Sequence, residues 1–355
     1  MSNFEGTRPV AKEHSFSVEN LSNWLEKNLS RYEKNIPLEI QQFKGGQSNP
    51  TFLISQNDNQ FVMRRKPPGI LLPSAHAIDR EYKVIKSLFQ AGFPVAEPLG
   101  YCSDSSVIGS DFYLMDFVQG RIFWDPRIPE LNNQERTDIY NEMNRVISMM
   151  HSLNPDEIGL GDYGKPGAYV SRQIDRWTKQ YKASETENIE AMNHLMEWLP
   201  LNIPSSDDTR LVHGDFRLDN MIFHPTEPKV LAVLDWELST LGHPLADFAY
   251  HVMVWRLAPE LFRGLTGTDL KSLGIPDEQD YVRQYCKRLG IPEISNKDWE
   301  FYIVFNMFRL AGILQGVMAR ALQGNASSAQ ALDSGKRAKP LAELAWKQVE
   351  KLMKN

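Results

Sequence analysis

The sequence predicts an α+β chain of two lobes: a small front region of short antiparallel strands, then a larger and mainly helical region. Three observations carry this. Between residues 38 and 65, apolar and polar residues alternate and turn-forming clusters interrupt them. From about residue 132 onward, apolar residues recur at helical spacing. Between 211 and 250, short apolar runs deliver acidic residues at or just past their ends. The 355 residues allow a sizeable core, and 42% apolar with 24% charged residues is ordinary globular composition. A net charge of −6 argues against nucleic acid as the main partner, since phosphate backbones attract basic patches. Cys102 and Cys286 have no metal-binding spacing and fit a reducing compartment. The polar N-terminus lacks the apolar core of a signal peptide, and no apolar run reads as a membrane span. The expectation is a cytoplasmic protein with small-molecule partners, neither nucleic-acid-bound nor membrane-bound, with a homodimer left open.

In chain order, residues 1–14 read as a loose arm. Leu21, Trp24, Leu25 and Leu29 follow at helical spacing, with Ser17 as the cap. Strands are expected over 38–43, 51–55 and 61–65, with turns at Gly45-Gly46-Gln47-Ser48-Asn49-Pro50 and at Asn57-Asp58-Asn59. A helix over 75–90 would turn Tyr82, Ile85, Leu88 and Phe89 inward. Pro94 and Pro98 end it, and 99–102, 107–108 and 112–115 read as a second hairpin. Helices are expected over 132–153, 277–289 and 298–322, with a last one reaching Met353.

The stretch 211–250 is unusually acidic for its apolar setting. The runs Arg210-Leu211-Val212 and 229–234 lead to Asp215 and Asp235, and Asn220 precedes Met221-Ile222-Phe223. With His224-Pro225-Thr226-Glu227-Pro228 as the turn, a hairpin returns Asp235 beside Asn220 and Asp215. Hard oxygen ligands grouped in this way suit Mg²⁺ shared with substrate phosphates. Each Asp alone reads as an exposed turn residue; the spaced set carries the argument.

His213-Gly214-Asp215, with Asn220 five residues after the Asp, resembles the catalytic loop of the kinase superfamily, and Asp235-Trp236-Glu237 stands where protein kinases have Asp-Phe-Gly. Gly after the His, and Trp-Glu after Asp235, resemble the aminoglycoside phosphotransferase and choline kinase branch; Asp247 matches a position typical of it. The resemblance implies a bilobal protein-kinase-like fold, with front lobe 1–115, hinge 116–120 and back lobe 121–355 containing a catalytic hairpin at 211–237. It implies ATP and Mg²⁺ as cofactors, Asp215 as catalytic base, Arg217 facing the transferred phosphoryl group, and Asn220 and Asp235 holding the metal. The turn Gly45, Gly46, Gln47, Ser48 and Asn49 would cover phosphates. Arg64 would pair with the phosphates and with Glu81, while strand alternation turns Arg65 to the other face. Backbone groups around Met115, Phe117 and Val118 would read the adenine edge, with Val62 over the ring and Gly120 letting the chain change direction.

Phe123-Trp124-Asp125-Pro126, Arg172-Gln173-Ile174-Asp175-Arg176-Trp177 and the 45–51 turn narrow the likeness. They resemble the kinase-like domain fused, in some eukaryotic proteins, ahead of an acyl-CoA dehydrogenase. This domain uses up the 355 residues, so no dehydrogenase activity is expected of the chain. The activity implied is ATP:alcohol phosphotransfer. The acceptor class suggested is a hydroxyacyl-CoA or hydroxy acid, ahead of an aminoglycoside or amino alcohol. Arg172, Arg176 and Lys179 are candidates to meet an anionic acceptor, and Trp255, Arg309, Gln315 and Arg320 fall in the acceptor region. Two alternatives remain: a nucleotide-binding pseudokinase or regulatory module, and a metal-dependent hydrolase using the histidines at 213, 224, 243 and 251. Against the second, Asn220 suits Mg²⁺ better than zinc, and His213 would orient the loop.

Overall fold

A computed structural model of the chain describes residues 6–44, 49–67, 77–324 and 330–354. Its first elements are β1 (Thr7–Pro9), α1 (Val18–Asn28), β2 (Glu39–Phe43), β3 (Thr51–Gln56) and β4 (Asn59–Arg65). Next come α2 (Ile78–Gln90), β5 (Pro98–Cys102), α3 (Ser105–Ile108) and β6 (Phe112–Asp116). The helical stretch that follows has α4 (Asn133–Ser152), α5 (Tyr169–Ser184) and α6 (Glu190–Leu201). Short strands return as β7 (Arg210–Val212), β8 (Met221–Phe223), β9 (Val230–Val233) and β10 (Thr240–Gly242). The chain closes with α7 (Pro244–Val252), α8 (Pro259–Phe262), α9 (Leu270–Leu273), α10 (Glu278–Leu289), α11 (Asn296–Leu322), α12 (Ala331–Gly335) and α13 (Ala338–Lys354).

Two compact units result. The first comprises Met1–Ile122, Ile158–Leu160 and Met221–Leu238; the second comprises Phe123–Glu157, Gly161–Asn220 and Ser239–Asn355.

The first unit is built on an antiparallel six-stranded sheet of order β1-β2-β3-β4-β6-β5. Alternation decides its faces. Phe52, Ile54, Phe61, Met63, Phe112 and Leu114 point one way and bury against Leu21 and Leu25 of α1. Arg65 shares this face, buried with its guanidinium over the rings of Phe16 and Phe52 and donating to the Ile108 carbonyl at 3.2 Å. Val62 and Arg64 point the other way; their register partners on β6 are Met115 and Tyr113. Ser17 caps α1 by accepting from the Asn20 N–H. The hairpin β8–β9 belongs to this unit: Met221 pairs with Val233 and Arg121 bridges Phe223. Gly120 owes its identity to that bridge, because a Cβ there would run into the Phe223 carbonyl.

Three sequence expectations are corrected in this unit. The arm contains an edge strand, since Thr7–Pro9 pairs with β2. Val107 and Ile108 are helical rather than extended: Asp104 caps α3, and Gly109, at φ +88°, ends it. Phe89 is exposed, because the buried stripe of α2 is Ile78, Glu81, Val84, Ile85 and Leu88.

In the second unit, α11 is the central helix and is buried along most of its length. It is long and apolar enough to cross a membrane by length and composition, contrary to the sequence expectation that no apolar run reads as a span; here its apolar surface is spent on the core. The capping box of Asn132 and Glu135 opens α4, and Asp277 caps α10. The short strand β7, leading to the catalytic-loop motif, pairs with β10, a strand that its three-residue length hid from periodicity.

Candidate active site

In the first unit Arg64 is the centre of an ionic network. Its Nε meets Glu81 Oε2 at 2.9 Å, and its Nη2 reaches Asp235 Oδ1 at 3.3 Å and Glu237 Oε2 at 3.2 Å. Glu81 also accepts from the Asn49 amide at 2.9 Å and the Tyr113 hydroxyl at 3.1 Å. Burial, opposed by Arg64 and reinforced by Glu237 and Asp235, holds the Glu81 carboxyl above its usual range. Burial lowers the Arg64 pKa, yet Glu81, Tyr113, Asp235 and Glu237 together lift it above its usual value, so the guanidinium stays charged. Asp235 takes a left-handed backbone, φ +66°, which β-carbon-bearing residues adopt at a cost. Trp236 behind it is buried, edge-on to Phe93 at 5.8 Å and donating its indole N–H to the Val233 carbonyl.

The second unit builds its cluster on the turn after β7. Gly214, at φ +83°, turns the chain between His213 and Asp215. Asp247, buried on the first turn of α7, clamps this turn: its two carboxylate oxygens accept from the His213 and Gly214 N–H groups, each at 2.8 Å. His151, itself bonded to Tyr285 at 2.8 Å, lies 3.3 Å from Asp247. Burial pushes the Asp247 pKa up, but His151, His213 and the backbone donors outweigh it and hold the carboxyl below its ordinary value. From the other side Arg309 donates to the Gly214 carbonyl at 2.7 Å.

Asp215 is held on all sides. The Tyr250 hydroxyl donates to Oδ1 at 2.6 Å, Arg217 Nε lies 3.2 Å from Oδ1, and Asn220 Nδ2 donates to Oδ2 at 3.1 Å. His213 Nδ1 accepts from the Asp215 N–H at 3.1 Å, so that nitrogen orients the loop. Arg217 and Arg263 both reach Asp219, at 3.3 and 2.5 Å. Asn220 spends its amide hydrogens on Asp215, which leaves its carbonyl oxygen as the atom it can offer a cation. That oxygen is a hard donor of the kind Mg²⁺ takes.

The residues expected from sequence thus fall into two sets. Asp215, Arg217 and Asn220 come together in the second unit; Asn49, Arg64, Glu81 and Asp235 come together in the first. Val62 is buried on the Arg64 face, and Met115, Phe117 and Val118 are half-buried at the end of β6. The N–H groups of Asp116 and Phe117 are already taken by the Glu97 and Gln60 carbonyls, which narrows the backbone groups open to a base. Gly45, Gly46, Gln47 and Ser48 lie outside the described residues.

Several expected acceptor residues have other work. Gln315 donates to Ser184 and Thr186, Trp255 to the Pro276 carbonyl, and Arg172 to the Gly167 and Lys165 carbonyls. Arg309 donates to the Gly214 carbonyl of the turn after β7. Sequence reasoning missed Tyr250 as partner of Asp215 and Glu237 as partner of Arg64. The available signals were Tyr250's place one helical turn past Asp247 and the acid two residues beyond Asp235.

Comparison with known proteins gives the same frame. Mouse acyl-CoA dehydrogenase family member 10 is 49% identical over 342 residues, covering 96% of this chain and 32% of that protein. Human acyl-CoA dehydrogenase family member 11 is 45% identical over 340 residues, covering 94% and 43%. The chain therefore spans less than half the length of these curated relatives. A crystal structure of a presumed aminoglycoside phosphotransferase from Ralstonia eutropha is 54% identical, with a TM-score of 0.88 over 95% of this chain and 99% of that one. Choline kinase of Cryptosporidium parvum, 12% identical with a TM-score of 0.60 over 95% and 97% of the two chains, shares the kinase-like fold. Residues 39–278 match the family described as the phosphotransferase enzyme family, and the chain belongs to that family.

Proposed function

We propose that this phosphotransferase is an ATP-dependent kinase of a small hydroxyl compound. The observation that carries the reading is the carboxylate of Asp215, fixed by Tyr250, Arg217 and Asn220 five residues on. Phosphoryl transfer needs position and charge more than covalent help. Asp215 accepts the proton of the attacking hydroxyl, a role worth roughly 10²–10⁴ in rate. Arg217, pinned beside it, faces the transferred phosphoryl group. Arg64, steadied by Glu81, supplies a forked positive charge to the nucleotide phosphates. Asn220 and Asp235 are the residues that would hold Mg²⁺, which when bound neutralises charge on the phosphate oxygens. The remaining nucleotide contacts are assigned to the 45–49 turn, Val62, Met115, Phe117 and Val118 on family resemblance.

On this reading the partners are small molecules rather than nucleic acid or membrane, and the place of action is the cytoplasm. A homodimer is the arrangement to look for by sedimentation. The relatives' names point to acyl-CoA chemistry, which favours a hydroxyacyl-CoA or hydroxy acid over an aminoglycoside.

The test is ADP release from MgATP over a panel of hydroxy acids, hydroxyacyl-CoAs, amino alcohols and aminoglycosides. Asp215→Asn is expected to lose turnover with nucleotide binding retained, and Asp235→Asn to weaken binding of the metal-nucleotide pair. Unchanged turnover in both variants removes the assignment; nucleotide binding with no turnover on any acceptor favours a regulatory module.

A further inference from the structure

Beside Asp215 the second unit has a pocket whose floor is aromatic, with Trp124, Trp255 and Phe262 among its walls. Arg217 and Arg263 stand at its edge and also line an adjoining cleft, where Arg337 joins them. Arg217 touches Asp215 at 3.2 Å, so a molecule in the adjoining cleft lies one side chain away from the proposed base. The guanidiniums are built into place. Asp219 bonds both Arg217 and Arg263, whose planes lie over the Phe262 and Trp124 rings at 5.6 and 5.2 Å. Arg263 keeps a left-handed backbone, φ +43°, at the end of α8, a position where glycine is the easier residue.

The charge balance says what such a pocket accepts. The acids lining the two cavities are Asp219, already held by two arginines, and Asp333, paired with Lys336 at 2.9 Å. His251 on the pocket wall is neutral near pH 7, because burial lowers its pKa to about 4. A polycation finds no unpaired carboxylate among these lining residues. An anion finds guanidiniums in a fork geometry suited to carboxylate or phosphate, next to an apolar floor.

We propose that Arg263 and Arg337 bind the anionic group of the phosphate acceptor, a carboxylate or phosphate carried on an otherwise apolar hydroxylated molecule whose body lies in the adjoining cleft against Pro259 and Phe262, beside the small Trp124–Trp255 pocket. This deepens the kinase reading above and rests on it for the word acceptor; the anion site itself is testable without phosphoryl transfer.

The experiment titrates the purified full chain, without nucleotide, with hydroxydecanoate, its methyl ester, hydroxydecyl phosphate and kanamycin. It follows tryptophan fluorescence, to which Trp124 and Trp255 report. The acid or the phosphate is expected to bind about tenfold or more tighter than the ester, and the tighter of the two names the anion. In Arg337→Ala and in Arg263→Ala the ratio of acid to ester affinity falls toward one, and Arg337→Lys restores part of it. Arg337→Ala also separates a folding defect from lost recognition, because a defect weakens ester and acid alike. Equal binding of acid and ester, tighter binding of kanamycin, or an unchanged ratio in both alanine variants overturns the proposal. Anion-selective binding in a protein that never turns over ATP supports the site and counts only against the kinase reading.

Discussion

Tyr250 donates its hydroxyl to Oδ1 of Asp215 over 2.6 Å, the shortest of the contacts that fix this carboxylate. Burial, with Asp215 beside it, holds the phenol pKa above its ordinary value, so the hydroxyl stays a donor at any working pH. Tyr250→Phe removes one restraint and leaves Arg217 and Asn220. We expect kcat to fall about tenfold, as for loss of a hydrogen bond to a charged group, with KM for ATP nearly unchanged. Steady-state kinetics decide it: a rise in KM alone assigns Tyr250 to nucleotide binding instead.

Asp247 serves the turn that carries Asp215 without being part of it. Replacing it with Asn leaves a single acceptor where the His213 and Gly214 N–H groups each need one, and puts an amide against a donor. The expected loss is about 3 kcal/mol of stability, read from the urea midpoint, because a buried charge partner is removed. Since its pKa is depressed when folded, the stability it adds is present above its ordinary value of 3.8 and is lost as pH falls below that. A midpoint equal to that of the native chain would refute the clamp.

Arg64 spans three carboxylates, which a planar fork does and an ammonium does not. Arg64→Lys is expected to keep the Glu81 contact and loosen Asp235 and Glu237, raising KM for ATP roughly tenfold. Nucleotide titration of the variant measures this directly, and an unaltered KM would leave Arg64 a purely structural residue.

Two buried histidines make the fold sensitive to acid. Burial lowers the pKa values of His243 and His251 from 6.5 to about 4. Both are neutral when folded, so their contribution is complete above pH 6.5 and is lost as pH falls toward 4, on the order of 3 kcal/mol each. His243 caps α7 with Nδ1 as acceptor, a role that protonation ends beside the positive end of the helix. Glu81, with its raised pKa, works in the opposite sense. Denaturation at pH 7 and pH 4.5 should show a steep loss in the native chain and a shallower one in His243→Asn with His251→Gln. Parallel slopes would rule this out.

The chain could be read well where local chemistry decides. Ser17 and Asp277 are caps where an oxygen-bearing side chain precedes a periodic run. Arg64 and Arg65 part to opposite faces because a strand alternates; the buried face of Arg65, over Phe16 and Phe52, needed contacts with the N-terminal segment that no pattern reveals. The acid set at 215, 220 and 235 was legible from spacing and family likeness. Its partners were not. Asn49 reaches Glu81 across 32 residues, and Arg309 reaches Gly214 across 95, and such pairings depend on packing. Glu81 was legible as the partner of Arg64 through family likeness alone, since a helix Glu is ordinarily solvated and only its network makes burial tolerable.

The placement of β8 and β9 has a consequence for how the chain is made. The hairpin that carries Asp235 and seats Trp236 against Phe93 is a component of the first unit, yet it is translated after the long helical stretch from Phe123 to Asn220. A nascent chain released as far as Ile122 holds the six-stranded sheet but lacks the partner for Arg121 and the filling for the Phe93 site. The amino-terminal unit thus cannot finish folding until the ribosome has passed residue 238, an exception to vectorial, unit-by-unit folding.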